Sequence, residues 1–417
     1  MENYWLATGF RSSNKKESLM AKDEVLIAGA GPVGLSAAIA LATAGIRVRV
    51  FEAEKTLLVD PRATTFHPPT LDMLDAYGVG DVMVQKGVIC PHWQIRWHPS
   101  GERAVFDVTV LANDTGHPYR LQCDQTVLSQ ALLDRLIRMP EVTVEFSSPV
   151  KAVSQDASGA SLTFERDGRD ETVNGAWVIG ADGAHSAVRK SLGLEFEGSI
   201  YPETNLIVTV KFPFEDHLEG LSGVNYCWRD GGNFSLLKVE DTWRVAIYPL
   251  ADKTIEEQLT PESIEAALQH IVPQPRPYEV LARRAYRAHQ RMVSKYRVGR
   301  VFLAGDAAHL TSPTGGMGLN GGVHDAINLA EKLTDVIKAK APESLLDRYE
   351  RQRRPVVAEA IIAQSDANRR RMRELDPEKR RASLKGLQEI CADRDRLYKH
   401  MLNTSMISGL RQAAAVE

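Results

Sequence analysis

The chain has 417 residues, of which 43% are hydrophobic and 25% charged, and its formal net charge is -3. This composition is typical of a globular protein with more than one core. Because the charges nearly balance, the composition gives no electrostatic reason to expect nucleic acid or an anionic membrane as a partner. The four cysteines form no CxxC pair, which argues against a metal site and a redox dithiol and fits a reducing compartment.

The N-terminal part of the chain does not resemble a secretory signal. Residues 1–22 contain no apolar segment like that of a secretory signal. No apolar run elsewhere reaches the roughly 18–20 residues that a membrane span needs. We expect residues 1–22 to be a disordered leader, with a targeting role as the alternative, and the protein to be cytoplasmic and free of the membrane.

The first motif is VLIAGAGPVGLSAAIALATAGIRVRVFE, which predicts a strand (Val25–Ala28), a glycine-rich turn, a helix and a second strand. The turn has GxGxxG spacing through Gly29, Gly31 and Gly34, which lets the backbone approach a pyrophosphate at a helix N-terminus. Glu52 ends the second strand, where an acid bonds a ribose hydroxyl. The acid favours FAD or NAD over NADP, and a glycine-rich turn in another α/β protein is the alternative.

The second motif, GDAAHLTSPTGGMGLNGG, begins at Gly305. It follows a predicted strand, Arg300–Ala304, whose carboxyl end is the edge where α/β folds bind ligands. Asp306 is therefore placed to accept hydrogen bonds from a polyol. The glycines let the backbone lie against a flat group, and a helix predicted to start near Gly318–Asn320 would stabilise negative charge there, such as that of a reduced flavin.

Three motifs in this order resemble a known family. They are GAGPVG with Glu52, GADGAHSAVR at Gly180–Arg189 and GDAAHLTSPTGGMGLN at Gly305–Asn320. The chain resembles the group A, single-component FAD-dependent aromatic hydroxylases, the family of 4-hydroxybenzoate hydroxylase, over roughly residues 23–360. The resemblance implies an α/β fold: a Rossmann-like FAD-binding domain, an inserted antiparallel-sheet substrate domain and a C-terminal helical segment.

The expected domains are discontinuous. The FAD-binding domain takes residues 23–90, 112–194 and 292–340, the substrate domain takes 91–111 and 195–291, and the C-terminal helices take 341–417. Alternating residues predict a hairpin in the first substrate segment, Pro91–Leu111, and several strands in the second. The tail is interpreted as a pair of helices that cover the domain with their arginines in solvent, and contact between two copies in a homodimer is the alternative.

The resemblance also implies cofactor-binding residues. The first motif would hold the ADP half of FAD, Asp306 the ribityl chain and the Pro313–Asn320 segment the isoalloxazine ring. Arg189 is linked in the family to FAD and NAD(P)H together with Asp182, and an ion pair between the two is the alternative. His309 is expected to pack locally. The full set of expected cofactor contacts is Gly29, Gly31, Pro32, Val33, Gly34, Glu52, Ala53, Arg62, Gln125, Asp182, Asp306, Pro313, Gly316, Gly318, Leu319 and Asn320.

The implied reaction is hydroxylation of a phenolic or heteroaromatic small molecule. NAD(P)H would reduce the flavin, and O2 would add at C4a to give the hydroperoxide that transfers oxygen. Without a second GxGxxG, NAD(P)H would bind only transiently. Pro313, Tyr226 and His92 are the catalytic candidates. The wider set of substrate-pocket candidates, each with packing or a surface position as the alternative, is His92, Trp93, His98, Tyr226, Trp228 and Arg244.

Two other functions stay open on this sequence. A halogenase or a reductase could share the fold, although WQIRW at Trp93–Trp97 lacks the WxWxIP spacing that halogenases need. A non-catalytic flavin-binding protein is the alternative of a different class, but it would be expected to lose the Gly316–Asn320 loop, which is intact.

Overall fold

The computed structural model describes residues 24–58, 63–247 and 254–417. Arg62 and the leader lie outside the described residues. The strands, in chain order, are β1 Val25–Ala28, β2 Val48–Phe51, β3 Thr65–Phe66, β4 Val88–Cys90, β5 His92–Trp97, β6 Arg103–Asp107, β7 Arg120–Gln122, β8 Val142–Glu145, β9 Val150–Gln155, β10 Ala160–Arg166, β11 Arg169–Gly175, β12 Trp177–Gly180, β13 Phe196–Lys211, β14 Val224–Arg229, β15 Gly232–Val239, β16 Thr242–Ile247, β17 Glu279–Val293, β18 Arg297–Val298, β19 Val301–Leu303 and β20 His309–Leu310.

Helices make up most of the tail and also occur throughout the rest of the chain. In chain order they are α1 Pro32–Thr43, α2 Pro68–Asp75, α3 Gly80–Lys86, α4 Gln125–Leu136, α5 Ala187–Ser191, α6 Phe214–His217, α7 Ile255–Gln258, α8 Pro261–Gln269, α9 Gly318–Ile337, α10 Asp347–Val356, α11 Ala363–Arg373, α12 Pro377–Ala392, α13 Arg394–Thr404 and α14 Ile407–Ala414. None of the described helices is both long and apolar enough to cross a membrane.

The first motif lies at the centre of a six-stranded sheet with the order β18-β19-β12-β1-β2-β8. All pairs in this sheet are parallel except β18 with β19. β1 is buried on both faces, as a strand between helical layers must be. Helix α1 packs between α4 and α9 on one face, and the antiparallel sheet β9-β10-β11 contacts β12. This is the predicted Rossmann-like arrangement.

The two predicted substrate segments meet in one eight-stranded sheet with the order β20-β17-β13-β16-β15-β14-β5-β6. Its pairs are antiparallel apart from β5 with β14, which run parallel. The predicted hairpin forms as β5 and β6, but residues Val108–Leu111 make a 3-10 turn instead of extending the strand. Asp107 accepts a hydrogen bond from the Thr109 N–H there, which starts the turn. The domain limits given above stay a prediction.

The tail differs from the predicted pair of solvent-facing helices. A π-helical turn, Val357–Ile362, joins α10 to α11, and three further helices follow. Arg353 and Arg380 are almost fully buried, so the expectation that the tail arginines lie in solvent was wrong for these two, whereas Arg370, Arg381 and Arg394 are exposed. Arg380 donates to the carbonyl oxygens of Arg229 and Gly232, at 2.7 and 3.0 Å, and so fixes α12 to the turn between β14 and β15. A side chain with five donors suits such a role.

Candidate active site

The GxGxxG turn is shaped by close backbone contacts. Gly29 has a φ of +99°, and a methyl group there would lie 2.5 Å from the carbonyl oxygen of Ala181. A methyl group at Gly34 would lie 2.0 Å from the carbonyl oxygen of Gly29. At Gly31 a methyl group would meet no described atom within 4 Å. The turn is therefore closed on its inner side and open at Gly31, which fits the approach of a pyrophosphate.

The start of α1 has free backbone donors. Pro32 is the first helical residue, and neither a capping side chain nor a first-turn acid is present at this end among the described residues. Such an N-terminus stabilises an anion through its N–H groups and dipole. Glu52 is held nearby at the end of β2, because its carboxylate accepts hydrogen bonds from the N–H groups of Ala30 (2.7 Å) and Glu54 (3.0 Å). Ala53 beside it is exposed.

The early and late glycine segments meet at Val33. A methyl group at Gly305 would lie 2.8 Å from the Val33 side chain, and one at Gly322 would lie 2.6 Å from it. The missing side chains therefore let α9 approach α1 closely. Asp306 follows β19 and is exposed at its carboxyl end. The open backbone at Gly31, an acid at the end of the second strand and a second acid after β19 fit an extended dinucleotide such as FAD.

Asn320 fixes the start of α9. Its Oδ1 accepts a hydrogen bond from the His67 N–H at 2.9 Å, and its Nδ2 donates to the carbonyl oxygens of Thr65 and Gly316. The His67 Nε2 lies 2.9 Å from the carbonyl oxygen of Gly315. Burial, followed by the nearby Arg120, lowers the pKa of His67 to about 3, so its ring is neutral and donates from Nε2. These bonds hold the glycine loop in one conformation.

A buried ion pair lies under the same loop. Asp325 of α9 accepts hydrogen bonds from Arg353 Nε (2.7 Å), His309 Nε2 (2.7 Å) and the Gly305 N–H (3.2 Å). Arg353 also donates to the carbonyl oxygen of Gly321. Burial alone would raise the pKa of Asp325, but Arg353 and the hydrogen bonds from Arg353 and His309 outweigh burial and lower it to about 2. His309 thus bonds within the protein, as expected, and is not directed at a substrate.

The central motif ties two backbone segments together. Asp182 accepts hydrogen bonds from Ser186 Oγ and from the Ala187 and Val188 N–H groups, so it caps α5. Burial raises the pKa of Asp182 despite these bonds. Arg189 instead donates to the carbonyl oxygen of Ala307, at 3.0 Å, next to Asp306. The two side chains therefore bind different backbone groups, which differs from the direct ion pair weighed as an alternative.

A cavity lies between the glycine loop and the substrate sheet. Its sheet side is formed by Trp93 and Ile95 of β5 and Tyr226 of β14, and its loop side by Thr314 and Gly315. Ile95 and Tyr226 are partners in the parallel pair. Trp93 meets the Tyr226 ring edge to face at 6.1 Å. The cavity therefore has an aromatic wall next to the loop that we expect to lie along the flavin ring.

Arg120 of β7 is the charged group at the inner end of this cavity. It is only 3% exposed, and its guanidinium lies 4.4 Å from the centre of the Trp93 ring. Burial lowers its pKa, and a hydrogen bond with Tyr226 partly offsets burial. Its Nε and Nη1 have no partner among the described residues, and neither has Trp93 Nε1. Unsatisfied buried donors are costly, so this site suits an acceptor group of a ligand.

The C-terminal helices complete the cavity. Asn368, Arg371 and Met372 of α11 and Thr404 of α13 also line it, and Asn368 lies beside Gly315 of the glycine loop. The carbonyl oxygen of Arg371 accepts a hydrogen bond from Trp228 Nε1 at 3.2 Å, which fixes α11 on the substrate sheet. The tail is therefore part of the cavity wall and not only a cover.

Several predicted substrate residues lie elsewhere. His92 is directed outward and lies 3.6 Å from Asp107, with its side chain 46% exposed. Trp228 is fully buried beneath α11, and His98 packs its ring against Phe234. Trp228 and His98 therefore belong to packing and His92 to the surface, and only the contrast between His92 and Trp93 follows from the alternation of side chains along a strand.

Two other candidates are engaged in other bonds. Arg244 pairs with Asp124 at 2.6 Å and so joins β16 to the start of α4, where Gln125 is the first residue. The carbonyl oxygen of Pro313 accepts a hydrogen bond from the Gly316 N–H at 3.0 Å. Tyr226 and Trp93 are thus the sequence candidates that line the cavity. Arg120 and Arg371 were missed, and the available signal was weak: Arg120 is a single arginine in the strand segment YRLQC.

Comparisons with known proteins agree with this geometry. A family model described as "FAD binding domain" matches residues 22–364. The para-nitrophenol 4-monooxygenase of Pseudomonas sp. (strain WBC-3) is 35% identical over 395 residues, which are 93% of this chain and 97% of the relative. The 6-hydroxy-3-succinoylpyridine 3-monooxygenase HspB of Pseudomonas putida (strain DSM 28022 / S16) is 35% identical over 352 residues, 84% of this chain and 89% of the relative.

Solved structures give the same result. The p-nitrophenol 4-monooxygenase PnpA of Pseudomonas putida DLL-E4 superposes with a TM-score of 0.86 at 33% identity, covering 93% of this chain and 98% of that one. Aklavinone-11 hydroxylase, solved with FAD and aklavinone, has a TM-score of 0.75 at 28% identity and covers 84% and 69%. The predicted family and fold class are confirmed. The chain belongs to the FAD-dependent aromatic hydroxylases of the group A, single-component type.

Proposed function

We propose that the protein uses NAD(P)H and O2 to hydroxylate a small phenolic or heteroaromatic ring bound in the cavity beside Arg120. The observation that supports this most is that the glycine loop, which we expect to lie along the flavin ring, also lines that cavity through Thr314 and Gly315. When bound, FAD supplies the redox chemistry, taking a hydride and activating dioxygen. The relatives named above for p-nitrophenol and a hydroxypyridine act on rings of this class.

The residues that would hold FAD are those that the family resemblance implies, and the geometry above supports several of them. The N–H groups around Gly31 and Pro32 would bind the pyrophosphate, and Glu52 a ribose hydroxyl. Asp306 would bind the polyol chain. Val33 and Ala53 lie beside these groups, and Gln125 begins the helix on the adenosine side. The ring end would lie against Pro313, Gly316, Gly318, Leu319 and Asn320.

Arg120 and Tyr226 would bind the substrate hydroxyl. A buried guanidinium favours the phenolate over the neutral phenol, because an opposite charge nearby lowers the pKa of an acid. A phenolate is the more electron-rich ring and so the better acceptor of an electrophilic oxygen. The buried aromatic side chain of Trp93 and the sulfur-bearing side chain of Met372 would exclude water from the same space.

A basic surface next to the central motif supports transient NAD(P)H binding. His289 on β17 is close to Arg291, Arg287 and His185, which, after burial, lower its pKa. His185 and Arg287 are exposed. Arg287 and Arg291 supply the positive charge of this cluster, and positive charge attracts phosphate groups. This cluster lies beside the segment that begins at Asp182, so we assign it the pyrophosphate of NAD(P)H.

The test is a turnover measurement on protein reconstituted with FAD. NADH and NADPH oxidation and oxygen uptake are measured with and without a panel of phenols and hydroxypyridines, and the products are identified by mass. We expect ring-dependent stimulation and a product heavier by one oxygen atom. Arg120→Met should lower kcat/KM by about 10- to 100-fold, the loss expected for a charged hydrogen bond, whereas Arg138→Met, at an exposed position, should not. No stimulation by any ring would refute the proposal.

A further inference from the structure

We propose that the cavity binds its substrate at two points and that Arg371 is the second anchor, for a planar group with two acceptor oxygens, a carboxylate or a nitro group, on the same ring as the hydroxyl. This inference rests on the proposed function and adds the substrate class to it. Arg371 would determine specificity, whereas Arg120 would bind every substrate.

The charges of the cavity carry the inference. Its described lining contains two guanidinium groups, Arg120 and Arg371, and no carboxylate. Arg371 donates through Nη1 to the amide oxygen of Asn368 at 3.3 Å, which is a long bond to a neutral acceptor. Burial lowers the pKa of Arg371. Arg120 is buried and Arg371 is partly buried. Cations removed from water without an acid beside them cost free energy, and an anionic or strongly accepting ligand would offset this cost.

The neighbouring titratable groups do not supply the missing negative charge. His400 stacks near Trp93, at 6.4 Å between ring centres. Burial, followed by Arg371 and Arg120, lowers the pKa of His400 to about 4, so it is neutral at pH 7. Cys90, which also interacts with Arg120, is a neutral thiol because burial raises its pKa to about 12. Because Arg371 and Arg120 both lower the pKa of His400, both guanidinium groups lie close to this one side chain.

The two anchors belong to different parts of the fold. Arg120 is on β7 and is bonded to Tyr226. Arg371 is on α11, which the substrate sheet holds at two successive carbonyl oxygens: Trp228 Nε1 donates to that of Arg371, and Asn233 Nδ2 donates to that of Met372 at 2.8 Å. The backbone under Arg371 is thus fixed, which sets the point from which its side chain reaches the cavity. A guanidinium matches two coplanar oxygens better than one.

The test measures binding to the holoenzyme without NAD(P)H, through the change that each ligand causes in the flavin absorption spectrum. The ligands are 4-nitrophenol, 4-hydroxybenzoate and 4-methylphenol. We expect the first two to bind at least about tenfold more tightly than 4-methylphenol, as for an added charged hydrogen bond. Arg371→Met should remove this difference and leave the Kd of 4-methylphenol within about twofold, and Arg371→Lys should restore part of it.

The neighbouring Arg370→Met is the matched control, since the Arg370 side chain is 70% exposed and faces Asp366, and it should change no Kd. Flavin content and circular dichroism establish that each variant is folded, and Arg371→Lys serves if Arg371→Met loses its flavin. Equal binding of all three ligands by the wild type, or equal weakening of all three by the Arg371 variants, would overturn the inference. In either case hydroxylation of the phenols would still support the proposed function, whereas its absence in the wild type would refute both.

Discussion

Arg353→Met tests the buried ion pair under the glycine loop. Arg353 is 1% exposed and Asp325 is fully buried. Methionine keeps most of the apolar stem, so the main change is the loss of the positive charge and of the 2.7 Å bond from Nε to Asp325. Asp325 would keep His309 and the Gly305 N–H as partners. The variant therefore leaves a buried carboxylate with less compensation.

The expected loss is about 3–5 kcal/mol of unfolding free energy, as for other buried pairs with one partner removed. The protonation equilibrium gives a similar scale. The pKa of Asp325 falls from 3.8 to about 2 in the folded protein, which at about 1.4 kcal/mol per pH unit is worth about 2.5 kcal/mol. A carboxyl with a lowered pKa contributes this stability above pH about 4 and loses it as the pH falls toward about 2.

The assay is urea unfolding at pH 7 and pH 5 together with titration of FAD release. In the variant, burial is no longer outweighed by Arg353, so the pKa of Asp325 should rise above its ordinary value. Protonation of Asp325 then removes the unpaired buried charge. The loss of unfolding free energy relative to the wild type should therefore be smaller at pH 5 than at pH 7. FAD should also be held more weakly, since Gly305 loses a firmly fixed partner. The exposed Arg351→Met on the same helix is the control, with an effect within about 0.5 kcal/mol.

A variant that unfolds within about 1 kcal/mol of the wild type at pH 7 would refute this reasoning. A loss of the same size at both pH values would also refute it, because it would show that packing and not charge is responsible.

Four further predictions concern other parts of the fold. Gly34→Ala should abolish FAD retention, because the added methyl group would lie 2.0 Å from a backbone oxygen. Gly386→Ala should instead raise stability by about 1 kcal/mol in thermal unfolding, because Gly386 is helical and no described atom lies within 4 Å of the added group. Arg244→Met should cost about 1–3 kcal/mol in urea unfolding, since Asp124 loses its 2.6 Å partner. Burial, followed by Arg353, lowers the pKa of His324 to about 3. The unfolded chain therefore binds a proton at this residue below pH about 6.5 while the folded protein does not, so the free energy of unfolding falls as the pH falls. His324→Gln should reduce the slope of unfolding free energy against pH by about 1.4 kcal/mol per unit between pH 4 and 6.

The parts of the fold that could be predicted are those set by short stretches of chain. The strand Val25–Ala28 and the helix starting at Gly318 lie where expected. Glycine spacing and an apolar strand are local signals, and the close approaches at Gly29 and Gly34 explain why the residues must be glycine. The joining of two distant segments in one sheet followed from the family resemblance and not from any local pattern.

The substrate cavity could be predicted only in part. Trp93 lines it but its neighbour His92 faces outward, and the choice between them depends on a strand register that a sequence does not show. Arg371 lies about 250 positions after Arg120, and no periodicity connects them. The tail arginines looked like a solvated helix face because a charged helix and a buried, carbonyl-bonded arginine such as Arg380 have the same sequence pattern.

The C-terminal helices form one side of the cavity while the cofactor cleft is built from earlier parts of the chain. Substitutions in α11 and α13 can therefore alter which aromatic ring binds without changing the residues that bind FAD. Exchanging residues 363–404 between relatives would be a direct way to transfer ring preference, and a fragment that stops before α11 would keep the glycine turn but leave the cavity open on that side.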